Sequence, residues 1–174
     1  SQLAVAYHAR GAAHFRKGEF DRAIADLDES IRRDPKQATV YVSRGLIHWR
    51  MDNLDGALTD YTKAIQLDPK AATAYEERGR VHGRNRDFDR ALADFDAAIR
   101  LNPKNAITYN NRGLAFRNKR QHARAIEDFD AALRLDPKYA VAYANRGLAL
   151  EETNQLERAL TDYRLAVSLN AELK

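Results

Sequence analysis

Histidines, paired carboxylates and arginines recur along this chain, and each set suggests a different chemistry. His14, His48 and His82 stand 34 residues apart, and such a row of imidazoles resembles the start of a metal site. Zn²⁺ wants about four converging ligands, however, and the next two steps carry Phe116 and Leu150 instead. Equivalent side chains on neighbouring helices start ~9–10 Å apart, so these histidines are expected to pack, with no metal and no cofactor. Glu76-Glu77 and Glu151-Glu152 are adjacent carboxylates, and neighbours on a helix diverge by ~100° instead of converging on one substrate. There is no Gly-rich phosphate loop, Gly-x-Ser-x-Gly or His-Glu-x-x-His in the chain, so the residues assemble no enzyme.

The third set can bind. Arg16, Arg50 and Arg84 occupy one position at three successive steps, and Arg80 and Arg117 join them. Phe15 and Trp49, the only tryptophan, sit beside the first two. Arginine and aromatic residues together are what partner proteins grip, and a guanidinium stacks on an aromatic face. The expected ligand is an acidic peptide segment or a chain-terminal carboxylate.

The elements that must position these residues are helices. Tyr41, Arg44, Gly45 and His48 fall at i, i+3, i+4 and i+7, which is one face of an α-helix. Apolar spacing resumes at Leu54 and runs through Tyr61, Ala64, Ile65 and Leu67 until Asp68-Pro69, where proline disfavours helical geometry in the residue before it. The same grammar fills residues 4–37, 38–71, 72–105, 106–139 and 140–173, and no strand-like alternation occurs. The expectation is all-α: one array over residues 1–174, five helix–turn–helix units, about ten antiparallel helices.

On a helical wheel the tyrosine, arginine, glycine and histidine positions form the packed side of each first helix. The opposite side carries the candidate binding residues Phe15, Arg16, Trp49, Arg50, Arg80, Arg84, Asn110 and Arg117. It ends on Glu151 and Glu152, so the free face runs from apolar-basic to acidic.

A mid-helix glycine costs ~1 kcal/mol against alanine, yet Gly11, Gly45, Gly79, Gly113 and Gly147 keep the 34-residue step. Close helix approach explains them, with Ala23, Ala57, Ala91, Ala125 and Ala159 as the expected partners. Leu27, Tyr61, Phe95, Phe129 and Tyr163 are then expected to fill the space toward the next unit. Arg10, Arg44, Arg78, Arg112 and Arg146 precede the glycines, and Asp26, Asp60, Asp94, Asp128 and Asp162 recur in the second helices. Half-buried arginine is best tolerated when its fork meets a carboxylate. A structural ladder of ion pairs, within or between units, is expected.

The pattern Tyr-x2-Arg-Gly-x2-His, Ala-x3-Tyr/Phe, Pro resembles the tetratricopeptide repeat, in its bacterial phrasing, over nearly the whole chain. That resemblance implies a right-handed α-solenoid whose first helices line a concave groove, and a scaffold or adaptor that binds another protein or peptide. The chain departs from family members that grip acidic chaperone tails: Asn111 and Asn145 fall at one clamp position, but the clamp lysines are absent. That activity is not carried over.

Bulk properties fit. The chain has 174 residues, no cysteine and a net charge of +4, which excludes disulfides and thiolate metal sites. No apolar run approaches the ~20 residues of a membrane span. Cytoplasm and bacterial periplasm both remain open as locations. A polyanion or single-stranded RNA binder is the first alternative, using the arginines with Phe15 and Trp49 as a stacking platform; Glu76, Glu77, Glu151 and Glu152 count against nucleic acid. A homo-oligomerisation module is the second. The last helix carries Leu160, Tyr163, Leu165, Val167 and Leu169, with Ala171 where earlier units have proline, so its face reads as a fragment's cut edge or a self-association surface.

Overall fold

A computed structural model describes residues 2–171. Among these are ten α-helices and no strand: α1 (Gln2–Arg16), α2 (Phe20–Arg33), α3 (Ala38–Arg50), α4 (Leu54–Leu67), α5 (Ala72–Arg84), α6 (Phe88–Leu101), α7 (Ala106–Asn118), α8 (His122–Leu135), α9 (Ala140–Glu152) and α10 (Leu156–Ala171). The chain divides into two compact units, residues 1–81 and 82–174, with the division inside α5. No helix among the described residues is long and apolar enough to cross a membrane.

Local chemistry sets the helix boundaries. The second helices α2, α4, α6 and α8 end at Asp-Pro-Lys or Asn-Pro-Lys, where the Lys70 and Lys138 backbone N–H groups donate to Asp68 and Asp136 Oδ1 at 2.9 and 3.0 Å. The proline between has no N–H to donate, and backbone bonds from Ala71 N to the Asp68 carbonyl and from Tyr139 N to the Asp136 carbonyl, both 3.1 Å, close the turn together with the acid side chain. The other turn, from first to second helix, holds one residue in left-handed backbone at a fixed step: Gly18, Asp52, Arg86, Arg120 and Asn154, with φ between 58° and 77°. Only Gly18 adopts that conformation without steric cost. Asn53 then caps α4 by accepting from Gly56 N at 3.0 Å, relieving one orphan N–H of the first turn.

In the first unit α1 packs on α2, α2 on α3 and α3 on α4. Ala23, Leu27, Val40 and Ile47 form one buried cluster, while Tyr41, Ala64 and Ala74 form a second. In the second unit α6 packs on α7, α7 on α8, α8 on α9 and α9 on α10. Phe116, Ala125, Phe129 and Ala149 form its main cluster, with Ala132, Leu133 and Ala142 beyond.

The glycines touch something other than alanine. A Cβ on Gly45 would lie 2.7 Å from the Tyr61 ring, on Gly113 2.7 Å from Phe129 and on Gly147 2.6 Å from Tyr163. At these three the nearest neighbour is the ring sixteen residues on, in the same repeat, and not the alanine expected to meet the glycine. At Gly11 an added Cβ would meet the Ala23 carbonyl oxygen and Leu27 Cγ alike, both at 3.2 Å. The same side chains do reach onward: Tyr61 packs with Val81 and Phe129 with Ala149.

The arginine–aspartate ladder is present and has a second arm. Arg10, Arg44, Arg112 and Arg146 each grip Asp26, Asp60, Asp128 and Asp162 with two parallel bonds of 2.6–2.9 Å. The remaining Nη1 of Arg44, Arg112 and Arg146 reaches back to Asp28, Asp96 and Asp130 of the preceding repeat. Arg78 makes the backward bond to Thr62 Oγ1 at 3.2 Å. Each guanidinium also lies 5.2–5.8 Å from the ring of the tyrosine three residues earlier, within cation–π range.

Candidate functional site

The first unit carries Phe15, Arg16, Trp49, Arg50 and Arg80. Phe15 and Arg16 end α1, and Trp49 and Arg50 end α3, so repetition alone puts two aromatic–arginine pairs in equivalent places. Phe15 is half-buried against the Ala23–Leu27–Val40–Ile47 cluster and stands 5.9 Å from Phe20. Trp49 is half-buried against Ala57, Tyr61 and Val81. The Arg80 guanidinium stacks 5.3 Å from the indole centre, while its Nη1 holds Glu77 at 2.8 Å. These three are already engaged, which makes them a rigid platform.

Arg16 and Arg50 differ. Both are exposed, and neither pairs with a carboxylate among the described residues. Both are uncommitted cations at the ends of first helices.

The second unit carries Arg84, Asn110 and Arg117. Arg84 is exposed at the end of α5. Asn110 is corrected: it is only 2% exposed, and its Oδ1 accepts from Asn145 Nδ2 at 2.8 Å. Its role is to join α7 to α9, as His8 Nε2 meets Ser43 Oγ at 2.9 Å in the first unit. Burial holds the His8 imidazole below its usual pKa. Arg117 is also committed, its Nε lying 3.2 Å from Glu152 Oε2. His122 Nδ1 stands 3.1 Å from the same oxygen.

The remaining sequence candidates resolve into structure. His14, His48 and His82 place Nε2 3.7–3.9 Å from Asp26, Asp60 and Asp94, so the histidine row backs the ion-pair ladder. Among the described residues no group of histidines and carboxylates could hold a metal ion. Glu151 and Glu152 diverge: Glu151 accepts from the Tyr163 hydroxyl at 2.6 Å, while Glu152 faces Arg117. Burial and that carboxylate push the Tyr163 hydroxyl up to about 12.

Electrostatics separate structural arginines from available ones. Hydrogen bonds donated to Asp60, Asp128 and Asp162 hold the Arg44, Arg112 and Arg146 guanidiniums above their ordinary range. Burial first, and the nearby Asp96 charge, push Asp128 up, but two parallel bonds from a guanidinium keep the proton on Arg112, and the pair is ionised. At the chain's start the Arg10 hydrogen bonds pull Asp26 below the usual carboxylate range.

Known proteins place this arrangement. The tetratricopeptide repeat profile matches residues 8–72, 76–140 and 110–172. A crystal structure of MamA is similar at 25% identity, with a TM-score of 0.84 over 93% of this chain and 95% of that one. PilF of Pseudomonas aeruginosa is similar at 20% identity and TM-score 0.87, over 96% and 76% of the two chains. YrrB, described as a repeat protein with an unusual peptide-binding site, is 22% identical with a TM-score of 0.78, over 95% of this chain and 86% of its own. No curated protein matches the sequence.

Proposed function

The chain belongs to the tetratricopeptide repeat family, an all-α solenoid and protein-interaction scaffold, and from that premise we propose that its first unit docks an acidic peptide segment of another protein. The observation that carries this reading is the contrast within one residue type. Arg10 and Arg44 are spent on Asp26 and Asp60, whereas Arg16 and Arg50, which follow Phe15 and Trp49 in the chain, are exposed and have no ion pair among the described residues. An exposed guanidinium one residue on from an anchored aromatic side chain offers a carboxylate-bearing chain a charge partner at the same helix end as apolar area. The test is calorimetric titration with a blocked acidic peptide and with single-stranded RNA of equal charge. Peptide binding that persists as salt rises supports the reading. Binding of RNA alone, falling steeply with salt, would hand the surface to polyanions.

A second reading has its own observation. On α10, Leu160 is 50% and Val167 70% exposed, whereas Leu133, one repeat before Val167, is 7% exposed. We propose that this face meets the same face of a second copy. Arg164 stands where Asp28, Asp96 and Asp130 hold the following arginine, and so repels Arg10 of a copy stacked head to tail. Light scattering across a concentration series tests it; a monomer throughout removes it.

A further inference from the structure

A polar notch in the second unit is lined by Arg117, Asn118, Arg120, His122 and Glu152, and encloses about 320 Å³. Three of its five lining residues are basic, from the end of α7, the following turn and the first position of α8. The start of α8 adds to them. Gln121 gives it no side-chain cap and its first turn carries no acid, whereas α2, α4, α6 and α10 carry Asp21, Asp55, Asp89 and Glu157 there. Orphan N–H groups and the positive end of the helix dipole point the same way as the arginines.

One anion already sits in the notch, and it sits badly. Glu152 meets Arg117 Nε at 3.2 and 3.3 Å through its two oxygens, against 2.6–2.8 Å in the Arg112–Asp128 pair. His122 Nδ1 lies 3.1 Å from Glu152 Oε2 yet is buried without a hydrogen bond. Arg120 is exposed, with no ion pair among the described residues. Tethered to the last turn of α9, Glu152 reaches the cations without aligning with them, and its side chain is 40% exposed.

We propose that this notch is a carboxylate-binding site for an acidic side chain of a partner peptide, and that Glu152 is its internal competitor, displaced on docking. A carboxylate free of the α9 backbone aligns with the Arg117 fork, supplies the missing acceptor for His122 and takes up Arg120. Glu152 then swings into solvent from a helix end with room to move. The ligand class is that of the proposed function, but the residues differ. Trp49 emission follows the first unit and the His122 ring resonances follow the notch, so either reading fails without the other.

The experiment is an NMR titration of the full chain with blocked tetraglutamate at fixed ionic strength, following the His122 ring signals in wild type and Glu152→Gln. Removing the competitor is expected to tighten the response at least about fivefold, the scale of one charge-assisted bond. Adding Arg117→Gln to Glu152→Gln should abolish the gain. Equal affinity of wild type and Glu152→Gln, or silent His122 signals in both, would overturn the proposal. So would a gain that survives loss of Arg117, or a tighter response to inorganic phosphate than to the peptide. Glu152→Asp, which withdraws the competitor by one methylene, gives an intermediate response and stands in if the glutamine variant folds poorly.

Discussion

The ring of Phe129 occupies the space that a side chain on Gly113 would need: a Cβ there would lie 2.7 Å from Cε1. The two residues belong to different helices, α7 and α8, and their contact fixes how closely these pack. Phe129 is fully buried, so the ring has nowhere to withdraw. Gly113→Ala should therefore destabilise the fold by about 1–3 kcal/mol, the usual cost of overpacking. A thermal melt checks it, and Phe129→Leu added to Gly113→Ala should recover part of the loss.

The ladder should weaken toward the chain's start. Asp128→Ala strips Arg112 of its bidentate partner and leaves Asp96 alone to hold a guanidinium whose side chain is 21% exposed. The expected cost is about 3 kcal/mol, at the low end for breaking a buried pair. Asp26→Ala should cost a small fraction of that, because Arg10 is 63% exposed and its charge returns to water. Denaturant melts of both variants give the comparison; equal losses would contradict it.

Acid sensitivity follows from Asp26. Its folded pKa is depressed, chiefly by the Arg10 hydrogen bond, so ionised Asp26 stabilises the fold above the unfolded value of about 3.9. That contribution is lost as pH falls from there through the folded pKa. Melts stepped downward from pH ~5 should show a shallower decline for Asp26→Asn than for wild type.

Left-handed backbone at the turns predicts a gain. Arg86 holds φ at 62° where the first repeat has Gly18. Arg86→Gly removes a steric cost of about 1–2 kcal/mol and returns part of it as unfolded-chain entropy. A net stabilisation of about 0.5–1 kcal/mol is expected, read as a rise in melting temperature.

Period and residue type made the fold legible. Arginine before each glycine, with aspartate sixteen residues on, made a ladder legible in the sequence but left open whether its pairs fall within or between units. Its second arm was also present as Asp28, Asp96 and Asp130 at the same step, interrupted by Thr62, and periodicity alone could have found it. Gly18 and Asn154 are residue types that tolerate positive φ, a signal for the turn position that the sequence reading did not use. The binding face was less legible because a wheel places a residue on one helix without its neighbours. Asn110 looked free, yet Asn145 arrives 35 residues later to bond it. Arg80 looked available, but Trp49 and Glu77 claim it. Spacing within a helix carries no information about such contacts; they depend on how the following repeat packs.

The most direct measurement of the central claim is titration with a blocked acidic peptide followed by Trp49 emission, comparing wild type with Arg50→Glu. Arg50 is exposed and unpaired, so the variant should melt as wild type does while losing at least about tenfold in affinity, one charge-assisted contact having become a repulsion. Equal affinity in the two proteins would contradict the assignment of this surface to an acidic partner.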